Sequence, residues 1–194
     1  MKDWSWERDD FDSNGKLILL YRHQRIITEG LVKKGDIVLD VGGWGKLAYR
    51  LFQEGCCVTL VNNDKNKCEE IKLKYPNTFK VICGDVRKLS SFINSTFDVV
   101  TCFETLEHII EGRKQAIQEI FCVLKPNGVF VGTVPIPGYC HPIDDPTISF
   151  CYPEELKELV RPYVSEFKIE KTASVNPTGD LCCWYFYGRK CKAK

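Results

Sequence analysis

Apolar positions along this chain alternate between two periods. In "GKLILLYRHQRIITEGLVK", residues 15–33, Leu17, Leu20, Tyr21, Ile27 and Leu31 recur near helical spacing, which predicts a helix. "DIVLDV" (36–41) is a short apolar run that reads as a buried strand, and "GKLAYRLFQEG" (45–55) reads as a helix closed by Gly55. "CCVTLV" (56–61) is a second strand; the polar helix "KNKCEEIKLKY" (65–75) follows and stops before Pro76. "FKVIC" and "FDVVTCF" are the third and fourth strands. "EGRKQAIQEIFCVL" is an amphipathic helix that ends at "KPNG", and "VFVGTV" is the fifth strand. "PEELKELVRPY" is a helix with an acidic first turn. "SEFKIEKT" and "DLCCWYFYGRK" are two further strands joined by a short turn-rich link, which suits an antiparallel pair because a parallel crossover would need a helix.

Strand alternating with helix is the signature of a mostly parallel sheet covered on both faces. The expected class is therefore α/β: a seven-stranded, mostly parallel, doubly wound sheet with an antiparallel C-terminal hairpin, in one domain over residues 1–194. Residues 1–15 form an arm whose Trp4 and Trp6 either close over a site or cover core. Residues 135–153, "PIPGYCHPIDDPTISFCYP", are long for a connection and favour a substrate loop, although the prolines equally suit a rigid, inert one. In such a sheet, ligands bind at the carboxyl ends of strands where the winding reverses.

Composition narrows the partners. A net charge of +1 removes the general electrostatic case for gripping nucleic acid or an anionic membrane. There is no run of 18 apolar residues, and the start "MKDWSWERDDF" is charged, so neither a membrane span nor a signal peptide is expected. The 11 cysteines include no C-x-x-C, and several sit in apolar runs where Cys behaves as a small hydrophobe, so a reduced, cytoplasmic protein is expected, as a monomer or homodimer. The vicinal pairs Cys56-Cys57 and Cys182-Cys183 read as alternation into and out of a sheet.

The end of the first strand carries the candidate chemistry. Gly42, Gly43 and Gly45 follow Asp40 after a single valine, and Gly43-Trp44-Gly45 with Ala48 matches the G-x-G-x-x-[GA] fingerprint, so a dinucleotide must be considered. Glycine lets a ligand touch the main chain, and the following helix offers free N–H groups. A carboxylate beside the turn would repel a pyrophosphate and attract an ammonium; equally, it can cap the turn's own N–H groups. "VLDVGGWGKLAYRL" resembles the first motif of the class I, Rossmann-like S-adenosylmethionine-dependent methyltransferases. "VICGDV", "FDVVTCFETLEHI" and "AIQEIFCVLKPNGVFVGTVP" resemble later segments of the same family, in order, over about residues 37–134.

The resemblance implies S-adenosylmethionine as cofactor. It places Asp85 on the adenine amino group with Val86 offering backbone, Phe103 at the end of the fourth strand beside the cofactor, and Tyr21 or Arg22 near the methionine end. Family members usually end the second strand in an acid that clasps the ribose. Here the run is "LVNND", so either Asn62 or Asn63 does a weaker version of that work, or the turn shifts to bring in Asp64.

For catalysis, "ETLEHI" is the best locus: Glu104, Glu107 and His108 stand at i, i+3 and i+4, on one face if the segment is a helical turn. His141, beyond the fifth strand, is a second imidazole for the same mouth. The pattern is similar to that of metal-dependent O-methyltransferases, so the set either holds a divalent metal, supplies a general base at His108 or His141, or only caps and orders the turn. The activity implied is methyl transfer to an oxygen or nitrogen of a small-molecule acceptor. An RNA or protein methyltransferase, a catalytically silent cofactor-binding regulator and an NAD-dependent dehydrogenase are the rivals.

Overall fold

The computed structural model describes residues 25–90, 92–138, 142–173 and 181–192. The arm, Tyr21, Arg22, Tyr139 and His141 lie outside the described residues. The elements run β1 (Ile37–Val41), α1 (Lys46–Gln53), β2 (Cys57–Asn62), α2 (Lys65–Lys74), β3 (Lys80–Cys83), β4 (Phe97–Phe103), a 3-10 turn (Leu106–His108), α3 (Arg113–Val123), β5 (Leu124–Pro135), α4 (Pro153–Val160), β6 (Val164–Ala173) and β7 (Leu181–Lys190). The seven strands form one sheet in the order β3-β2-β1-β4-β5-β7-β6, with β7 antiparallel to both neighbours. Winding reverses between β1 and β4, and the carboxyl ends of these strands border the cleft described below.

Two helix ends show how local sequence sets the layout. Gly55 (φ 86°) closes α1: its N–H reaches the Phe52 carbonyl at 2.9 Å and the Cys56 N–H reaches that of Leu51 at 3.0 Å, a Schellman pair. Gly30 (φ 67°) does the same for the helix at 25–28, with Gly30 on Ile27 at 2.9 Å and Leu31 on Ile26 at 2.8 Å. The helix expected over residues 15–33 thus stops sooner, and Leu31 is buried after the turn rather than on the helix. β5 also begins earlier than expected: "LKPNG" joins the strand through an irregular register beside Phe97, with Asn127 at φ 62°.

Alternate side chains of the central strands feed two cores. Leu39, Val61, Val100 and Phe130 pack under α3 and α4, while Val38, Leu60, Val99 and Val131 pack with α1. Being apolar on both faces is what a parallel strand covered on both sides requires. Cys56 is buried and Cys57 exposed, so the first vicinal pair does alternate. On the second face Arg25 sits 3.6 Å above the Tyr185 ring and pairs with Glu29 and Glu170, while the Tyr185 hydroxyl donates to Glu29 at 2.8 Å. This cluster fastens the 25–28 helix to β6 and β7. Among the described residues no helix is long and apolar enough to cross a membrane.

Candidate functional site

The strand ends are stitched together by main-chain bonds. Gly42 N–H donates to Val61 at 2.8 Å and Gly84 N–H to Asn62 at 2.9 Å, so the turns after β1, β2 and β3 form one wall. Thr105 makes the other junction, its hydroxyl 3.2 Å from the carbonyls of Val41 and Phe103. Between this wall and residues 105–111 lies a cleft of about 400 Å³. Its lining includes Gly42, Asn62, Asn63, Asp85, Val86 and His108 from the residues expected at the site. Asp40, Gly43, Gly45 and Phe103 are not on its surface; Phe103 packs against the core on the α1 side.

Each glycine of the turn has a neighbour that a side chain would strike. A Cβ on Gly42 (φ 73°) would fall 2.3 Å from Thr105 Cγ2, and one on Gly43 would fall 2.1 Å from Asp40 Oδ2. Gly45 (φ 91°) leaves room for Tyr75 and Ile71. Bare backbone is therefore needed here by the protein's own packing, and Gly42 alone of the three borders the cleft.

Asp40 is 1% exposed, beneath Gly43. Its Oδ1 accepts the Thr101 hydroxyl at 2.7 Å, a contact set by the β1–β4 register, in which the two residues are partners. Its Oδ2 is buried without a hydrogen-bond partner, so the expected capping of the turn's N–H groups does not occur. Burial pushes the carboxyl up to about 7, against the opposing effect of the Thr101 hydrogen bond.

The asparagines divide the expected ribose work in a way the sequence did not foretell. Asn62 Nδ2 donates to the Gly42 and Gly43 carbonyls at 3.3 and 3.2 Å, and its Oδ1 accepts from Asp64 N–H at 2.9 Å. An acid at this position could make neither donation. Asp64 does not swing into the cleft; it caps α2, accepting from Asn66 and Lys67 at 2.8 and 3.1 Å. Asn63 is exposed and lines the cleft.

The Glu104, Glu107, His108 set does not share a face. Glu104 takes φ 51°, and its Oε1 accepts from Thr133 and Cys183 at 3.2 and 2.8 Å. The 3-10 turn starts only at Leu106, which sends Glu107 into the core (0% exposed) and leaves His108 at the cleft. Among the described residues no three His, Cys, Asp or Glu side chains gather as metal ligands.

Two arginines were missed. Arg113, at the start of α3, is 8% exposed and donates to the Leu106 carbonyl at 3.1 Å, to the Ser149 carbonyl and to Glu155 at 2.5 Å. It pins the 3-10 turn to the part of the 135–153 loop that is described. Arg87 holds Asp85, and its side-chain hydrogen bonds are the main cause that lowers the Asp85 pKa below the ordinary carboxylate range. Its place two residues after an expected site acid was the available signal; for Arg113 there was none.

The sheet order, the antiparallel last strand and the cleft at the winding reversal define a class I, Rossmann-like S-adenosylmethionine-dependent methyltransferase fold, and that is the fold of this chain. Residues 39–132 match the family described as "Methyltransferase domain". The ubiquinone biosynthesis O-methyltransferase of Coxiella burnetii is 31% identical over 119 residues, covering 57% of this chain and 48% of that protein. The chain thus spans about half the length of the curated relatives it matches. Among solved structures, an Archaeoglobus fulgidus S-adenosylmethionine-dependent methyltransferase superposes with a TM-score of 0.73 at 18% identity, covering 94% of this chain and 97% of that one. The [4+2]-cyclase SpnF reaches 0.75 at 17% identity, covering 97% and 86%. At such identities the likeness is one of fold, and function rests on the site.

Proposed function

We propose that the chain transfers a methyl group from S-adenosylmethionine to an oxygen or nitrogen of a small-molecule acceptor by in-line displacement. The observation that carries this is the cleft itself: apolar walls at Val61 and Val86, bare backbone at Gly42 and a carboxylate at Asp85. A purine nucleoside has matching features, with flat apolar faces and an exocyclic amino donor.

Bound S-adenosylmethionine supplies a methyl carbon already activated by its sulfonium. The chain's part is alignment, which the rigid junction of Thr105 with Val41 supports. A ring nitrogen of His108, exposed at the cleft, takes the proton from an acceptor that retains one at neutral pH. The relatives named as O-methyltransferases weigh toward oxygen.

The test pairs calorimetry of S-adenosylhomocysteine against NADH with transfer of a labelled methyl group into extract stripped of macromolecules. Binding of the first ligand alone, with label recovered in small molecules at a rate insensitive to salt, is expected; a salt-dependent rate confined to RNA or protein would reverse it. A second reading, a cofactor-binding chain without transfer, has one observation behind it: Asn62 spends both amide donors on the turn. Tight product binding with no labelled acceptor in a broad screen would favour that reading.

A further inference from the structure

Arg87 crosses the cleft. Its Nε lies 3.0 and 2.9 Å from the two Asp85 oxygens, its Nη2 is 2.6 Å from Oδ2, and its own N–H donates to Oδ1 at 2.9 Å. From there Nη1 reaches the Glu111 carbonyl on the opposite wall at 3.1 Å. The stem rests on the bare α-carbon of Gly112, where a Cβ would come within 2.9 Å of Arg87 Cδ. Gln115 completes the fastening, its Nε2 donating to the Arg87 carbonyl at 3.0 Å. A solvated surface pair would need none of these last three contacts.

A carboxylate offers about four lone-pair directions. Three Arg87 hydrogens meet them, that of Nε shared between both oxygens, so about one acceptor direction is left on the carboxylate. We infer that Arg87 is a positioning residue that makes the cleft selective for a 6-amino purine. It locks Asp85 as an acceptor aimed at the exocyclic amino group, and it ties the two walls together across the slot. This rests on the nucleoside reading of the cleft given above. A 6-oxo purine would set acceptor against acceptor; an Asp85 released from Arg87 can rotate or take a proton and tolerate it.

The test measures the affinities of S-adenosylhomocysteine and S-inosylhomocysteine for the wild type, Arg87→Met and Arg87→Lys. The wild type should prefer the adenosyl ligand by about a hundredfold or more, since a mismatched buried polar contact is heavily penalised. In Arg87→Met that preference should shrink about tenfold, through weaker adenosyl binding with the inosyl affinity little changed. Arg87→Lys should recover only part of it, because an ammonium keeps the charge but cannot bracket a carboxylate. The Arg87 side chain is 40% exposed, and melting temperature serves as the fold control. An undiminished preference in Arg87→Met overturns the inference and leaves the nucleoside reading standing. Equal binding of both ligands by the wild type overturns the inference through Asp85, and binding of neither ligand overturns the nucleoside reading itself.

Discussion

The amide nitrogen of Asn62 lies 3.2 Å from the Gly43 carbonyl and 3.3 Å from that of Gly42. The end of β2 is thereby a clamp on the glycine turn after β1. This accounts for an asparagine where the resemblance implies an acid: the position here donates hydrogen bonds, which a carboxylate cannot.

Placing the expected acid at this position should do harm. Asn62→Asp would place a carboxylate against two carbonyl oxygens at an 8%-exposed site. Loss of these donors should destabilise the fold by about 1–3 kcal/mol, read as a shift in the urea midpoint at constant slope. A variant as stable as the parent with tighter product binding would show that the amide is no clamp.

Asp40 gives a pH signature. Its carboxyl titrates at about 7 in the fold against an ordinary 3.8, so between these values the folded chain binds more proton than the unfolded one. Stability from this group is fully present below about pH 4 and is lost as pH rises through about 7, by up to roughly 4 kcal/mol. Asp40→Asn should abolish that slope, so urea titrations at pH 5 and pH 8 should show the parent losing more than the variant. Parallel losses would mean that the carboxyl is already ionised at pH 5.

His108 stands exposed at the cleft. Replacing it with glutamine should lower kcat by about a hundredfold, a general base's usual share, and leave the affinity for S-adenosylhomocysteine within about twofold. Because Glu104 and Glu107 point elsewhere, activity should survive excess chelator. Loss of activity on chelation, restored by one divalent ion, would reinstate the metal.

Arg113 links three segments through a nearly buried guanidinium. Arg113→Met should cost roughly 3 kcal/mol, as hydrogen bonds from a charged group to the Leu106 and Ser149 carbonyls are lost. The cut should fall within the loop: limited proteolysis near residues 142–150 should accelerate more than global unfolding explains. Unchanged digestion would place the loop's anchor elsewhere.

Local chemistry was readable where it acts locally. β4 spans the residues of its apolar run, and the glycine stop at Gly55 follows from its φ requirement alone. What escaped depends on contacts between distant segments. The i, i+3, i+4 spacing of Glu104, Glu107 and His108 implied a shared face only if a helix began at Glu104. Instead Glu104 turns back toward Thr133 and Cys183, on strands that sequence spacing does not bring into view. Asp40 looked like a group for the ligand or the turn, whereas the strand register assigns its Oδ1 to Thr101. Arg113 carries no local signal, because nothing nearby in sequence reveals that Ser149 and Glu155 will meet it.

The last strand fills the middle of its half of the sheet: β7 pairs with β5 on one side and β6 on the other. During synthesis, β6 therefore emerges with no place to dock, and β5 keeps an open flank until residues 181–190 clear the ribosome. Assembly of this half waits until β7 is available. A chain cut before residue 181 would leave β6 without a partner and β5 open along one edge, where the whole sheet has a wall.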